Sequence, residues 1–137
     1  MTSKNNDNID ELTTINNTIS QTIDINNKVS VEDMETDGST SSIIKEISNN
    51  YLTQLKILIF AYDTNDENIY QSELILRKEN NVLNILSGDN LKILSKSNNS
   101  WIITITESSN NISINFKTNG DPIKVRVQFD EYLIKTL

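Results

Sequence analysis

Trp101-Ile102-Ile103-Thr104-Ile105-Thr106, Ile112-Ser113-Ile114-Asn115-Phe116-Lys117 and Ile123-Lys124-Val125-Arg126-Val127-Gln128-Phe129 decide how the rest of the chain is read. In the second and third runs apolar and polar residues alternate, the pattern of strands with one buried and one solvated face. Asn110-Asn111 and Asn119-Gly120-Asp121-Pro122 supply the turns between them. Period two sends Trp101, Ile103, Ile105, Ile114, Phe116, Val125 and Val127 into one core.

Upstream, Leu55 to Tyr62 is short, rich in β-branched residues and bounded by Asp63-Thr64-Asn65-Asp66, as a buried strand is. Ile69 to Leu76 and Val82 to Leu86 read as further strands, and Tyr132 to Leu137 as a last one. Two stretches read as helices. Ser41-Ser42 can cap a helix starting at Ile43, with Ile44, Ile47, Tyr51 and Leu55 at helical spacing. Asp89 can cap a short helix over Asn90-Leu91-Lys92-Ile93-Leu94-Ser95-Lys96. The expected fold class is α+β with an antiparallel sheet.

The 137 residues include 12 Lys+Arg against 19 Asp+Glu, three Gly, one Pro and neither Cys nor His. Without Cys or His there is no thiol nucleophile, Ser-His-Asp triad, zinc finger or imidazole base, and no disulfide scaffold. No leader pattern and no long apolar run suggests export or insertion, so the expectation is an intracellular chain without a membrane partner. Asn and Ile are over-represented, for which an AT-rich genome is the plain explanation. Residues 1–40 contain no aromatic residue and scatter Ile among Asn, Thr, Ser and acids, so a disordered acidic tail is expected. They hold two lysines against eight acids, a net −6, which leaves −1 for residues 41–137.

Asp63, Asn65 and Glu67 alternate like the start of a calcium loop, but Asn68 stands where the turn glycine belongs and Leu74 where the bidentate acid belongs. A solvated hairpin turn fits better, and no metal is expected. Gly38, Gly88 and Gly120 lie too far apart for a phosphate loop. Asp130-Glu131 reads as exposed turn charge. No catalytic residue and no cofactor is expected; function should be non-covalent association. The positive charges are more specific. Lys92 and Lys96, four apart on the second expected helix, share a face opposite Leu91 and Leu94. Such a face can lay ammonium groups on phosphates without reading sequence, a solvated helix side being the plain alternative.

From Asn81 to Leu137 the order of strand, short helix Asn90 to Lys96, polar Asn98-Asn99 turn and paired strands resembles one half of a PCNA-type sliding-clamp domain. Leu91-Lys92-Ile93-Leu94 and Ile102-Ile103-Thr104 are its sharpest parts, and Ser108-Ser109 through Thr136-Leu137 is similar to the checkpoint-clamp relatives. The resemblance implies a clamp-like domain over 41–137, a curved antiparallel sheet with two short helices on one face. It further implies non-specific double-stranded DNA as partner, contacted by Lys45, Lys92 and Lys96. Self-association or other clamp subunits, replication or repair proteins, and a nuclear or viral cytoplasmic replication site go with it. Separately, Trp101 with hairpins ending at Phe129-Asp130-Glu131-Tyr132-Leu133 resembles the start of a COMM-type dimerisation domain. That implies a small β-rich adaptor or assembly subunit that binds another protein and not DNA.

Overall fold

Nine strands and no helix make up the described part of the chain, which in this computed structural model comprises residues 23–48, 50, 52–88, 91–98, 100–108 and 110–136. In chain order they are β1 (Ile23–Glu35), β2 (Ser41–Glu46), β3 (Leu52–Tyr62), β4 (Glu67–Glu79), β5 (Val82–Gly88), β6 (Lys92–Lys96), β7 (Ile102–Ser108), β8 (Asn111–Lys117) and β9 (Lys124–Thr136). The larger sheet runs β1-β9-β3-β4-β5, with β6 also on β4, and the smaller runs β2-β8-β7. Every pairing is antiparallel.

The core lies where the alternating patterns of the two sheets meet. On β3, Leu55, Ile57, Ile59 and Ala61 are fully buried, and Val125, Val127 and Phe129 lie beside them on β9. The smaller sheet contributes Ile43, Ile112, Ile114 and Phe116, and Trp101 closes one end at 2% exposure. Ile103 and Ile105 pack partly buried against this cluster. The core predicted from period two is therefore the one observed.

The α+β expectation is overturned: both predicted helices are strands. The first becomes β2, in which Ile43 is buried and Ile44 exposed, a two-residue period laid against β8. β-Branched isoleucines suit that pleated position better than a helix. The second becomes β6, too short to be a stable helix alone. Its backbone instead pairs with Asn68 to Gln71 of β4, the stretch of that edge left open beyond β5. Tyr51, Asp89 and Asn90 from those helices lie outside the described residues. The expected tail is also corrected: residues 23–35 form β1, in register with β9 along its whole length. Residues 1–22 lie outside the described part. Asp130-Glu131 is no turn either, since β9 runs straight through it and Glu131 is buried.

Two turns rest on left-handed backbone. Asn80 and Asn81, with φ of 52° and 63°, join β4 to β5 as a two-residue hairpin, the conformation that asparagine tolerates best after glycine. Asn119 and Gly120 form a second left-handed turn on the connection from β8 to β9, which lie in different sheets, closed by the Asp121 N–H donating to the Thr118 carbonyl at 3.1 Å. A Cβ on Gly38 would lie 2.6 Å from the Gly120 carbonyl oxygen, so this corner also needs glycine for space.

Candidate interaction interface

The three lysines singled out from the sequence fall at three separate places. Lys45 on β2 pairs with Glu131 of β9 at 2.5 Å and lies 5.7 Å from the centroid of the Phe129 ring. Both side chains are largely shielded, so this ion pair ties the smaller sheet to the larger one. Lys92 and Lys96 stand at the two ends of β6, exposed. A bulge between Ile69 and Tyr70 shifts the register, so Lys92 opposes Gln71 and Lys96 opposes Asn68. Residues 68 and 71, three apart on a strand, face opposite sides of the sheet. The shared lysine face is accordingly absent: Lys92 points outward with Gln71, and Lys96 lines the mouth between the sheets with Tyr70, Ile93 and Trp101.

Buried polar groups at this mouth are built into the fold. Asn68 accepts from the N–H groups of Ser97 and Asn98 at 2.9 and 3.0 Å and donates to the Tyr70 hydroxyl and the Asn98 carbonyl, both at 2.8 Å. Burial raises the Tyr70 pKa, partly offset by that bond. The Trp101 indole N–H donates to Asp121 at 3.1 Å, and buried Lys78 donates to the Ile47 carbonyl at 2.7 Å. At the loop between β3 and β4, Asp63 accepts from the N–H groups of Asn65 and Asp66, each at 2.7 Å, so its carboxylate closes its own turn. Among the described residues no group of His, Cys, Asp or Glu is gathered to hold a metal.

The surface that remains is the outer face of the larger sheet, with its edge at β1. Across it, Asp33, Arg126 and Phe60 form one row and Glu35, Lys124 and Tyr62 the next. Arg126 makes a two-pronged pair with Asp33 at 2.7 and 2.8 Å, and Lys124 lies 3.8 Å from Glu35. The guanidinium holds the Asp33 carboxyl below its ordinary pKa and is itself raised by it. Phe60 and Tyr62 stack at 5.0 Å, and two open clefts of about 430 and 530 Å³ meet at Glu35, Tyr62 and Lys124.

Farther along β1 the outward face turns apolar. Ile23, Ile25, Val29 and Val31 are 48, 60, 58 and 51% exposed, although alternate apolar residues on a strand ordinarily mark a covered side. Among the described residues β1 pairs with β9 alone, so its other edge presents unpaired backbone groups. Sequence reading missed this because Asn, Asp and Lys between the apolar residues look like tail composition; Ile23-x-Ile25 and Val29-x-Val31 were the available signal.

No family model and no curated protein matches the sequence. Among solved structures, two phage tailspikes are similar. One is the tailspike protein gp49 of Acinetobacter baumannii bacteriophage Fri1, a capsular polysaccharide depolymerase, with TM-score 0.54 and 14% identity over 83% of this chain. The other is the tailspike of Acinetobacter phage vB_ApiP_P1, with TM-score 0.43 and 10% identity over 78% of this chain. The matches span 20% and 22% of those longer chains, and the first is a likeness of fold alone.

Proposed function

We propose that the chain is a non-catalytic β-sandwich assembly module that works by associating with protein. The observation that carries this reading is β1: a long edge strand with a row of apolar side chains on an open sheet face. Edges of this kind add strands from other chains, and folds that remain alone blunt them. The likeness to one fifth of the Fri1 tailspike chain fits a module that is one part of a larger assembly. Polysaccharide cleavage is not carried over. Asp33 is paired with Arg126, Glu35 with Lys124 and Asp121 with the Trp101 indole, and Asp63 closes its own turn. These four carboxylates are engaged in holding the fold, whereas a glycosidase needs a pair set apart in a shared pocket as acid and base.

DNA encirclement, which the clamp resemblance implies, places Lys45, Lys92 and Lys96 on phosphates, the latter two from one helix face. With Lys92 and Lys96 on opposite faces of a strand and Lys45 paired to Glu131, that arrangement has lost its basis. Retention of the full chain on duplex DNA at low and moderate salt tests the choice. Weak retention, unchanged by Lys92→Glu/Lys96→Glu, is expected. Salt-dependent retention whose log–log slope falls by about two in the double variant would reinstate DNA as the partner.

A further inference from the structure

The chain treats its sheet edges unequally. β2, β5, β6 and β7 are short, and the β4 edge that β5 and β6 share is broken by two register shifts. Shortness and bulges are the usual protections against unwanted pairing. β1, in contrast, runs from Ile23 to Glu35 with no bulge and no proline. Up to Val31 it holds one acid, Asp24, and one base, Lys28; Glu32, Asp33 and Glu35 are confined to its far end.

We infer that β1 pairs with β1 of a second copy, antiparallel about a two-fold axis at Asn27. An isologous contact must be self-complementary, and opposed residues must share a face, which leaves few registers. Centred on Asn27, Ile23 lies opposite the second copy's Val31 and Ile25 opposite its Val29, and the symmetry repeats both pairs. All four exposed apolar residues of the strand then face apolar partners. On the other face Asp24 is opposite Ser30, with Lys28 on one diagonal as an attractive neighbour and Glu32 on the other. Centres farther along the strand are worse matched. At Lys28 the lysine would meet itself and Asp24 would meet Glu32; at Val29, Ile25 would meet Asp33 and Ile23 would meet Glu35. The Asn27 register leaves the acidic ends outside the paired stretch and joins the two large sheets into one.

This inference rests on the assembly reading and names its partner as a second copy. Because the chain has no cysteine, single substitutions report the register directly. Asn27→Cys in the full chain should oxidise to a reducible dimer, since only the two-fold position faces itself at disulfide distance. Ile25→Cys and Val29→Cys should each stay monomeric on oxidation and cross-link when mixed. Sedimentation should show a concentration-dependent dimer that Val29→Lys, an exposed site that leaves the monomer fold intact, weakens about tenfold or more. A monomer at all concentrations, with no cross-link formed by the Asn27→Cys variant, overturns the pairing, as does cross-linking only after residues 1–22 are removed. Either result leaves the DNA-retention outcome untouched, so failure of the register and failure of the assembly reading remain separable.

Discussion

Asn68 holds the mouth of the sandwich by using both ends of its amide while fully buried. Asn68→Ala takes a partner from the Asn98 N–H, the Asn98 carbonyl and the Tyr70 hydroxyl, while the Ser97 N–H keeps the Glu67 carbonyl, so it should cost about 2–3 kcal/mol, read as a lower urea midpoint at unchanged slope. A midpoint equal to that of the native chain would mean that β6 is not clamped through this side chain. Asp33 behaves differently because it is exposed. Its pKa is lowered by the hydrogen bond from Arg126, so the pair supports the β1 and β9 ladder above the ordinary carboxylate value of 3.8. That support is lost as pH falls through the lower folded value. The Glu35 end of β1 should therefore fray in acid, seen as chemical-shift change at Met34 and Glu35, and Asp33→Asn should already show the frayed shifts at neutral pH. Identical titrations in both proteins would remove the pair from the account.

At the scale of elements, strand-period segments were legible and helix-period ones were not. The alternations Ile112-Ser113-Ile114 and Val125-Arg126-Val127 require a sheet because only one register buries every apolar member. Ile44, Ile47, Tyr51 and Leu55 matched a helix by spacing alone, yet the neighbouring Ile43 carries the buried face, and pairing to β8 overrode the pattern. Lys92 and Lys96 were visible as charges, but their orientation depends on a bulge opposite Ile69 and Tyr70 that no local signal announces. In a chain rich in asparagine pairs Asn80-Asn81 does not stand out, although two adjacent asparagines suit a tight hairpin. The largest misreading concerns β1, whose ordering depends on a partner strand about a hundred residues away. That strand bears a prediction of its own. Removing residues 23–35 along with those before them should expose the β9 edge, uncover Met34's packing site and lower the thermal midpoint by several degrees. An unchanged melt would return this segment to the tail.

In the molecule as a whole, a core closed by two sheets is flanked by one long edge strand without a bulge. Among the described residues the buried charges and the indole are matched: Lys45 by Glu131, Lys78 by the Ile47 carbonyl and Trp101 by Asp121. On β1 four exposed apolar residues stand in one row, and the local charges of its first nine residues cancel although the chain carries −7. Association through that edge is the central claim, and amide hydrogen exchange along residues 23–35 tests it most directly. Alternate amides of β1 point toward β9 and the others toward the open edge. The account predicts slow exchange of the β9-facing set at every protein concentration, with the edge-facing set slowing only as concentration rises. Fast exchange of the edge-facing set at the highest concentration would contradict it, because the open edge of β1 would then be covered by no other chain.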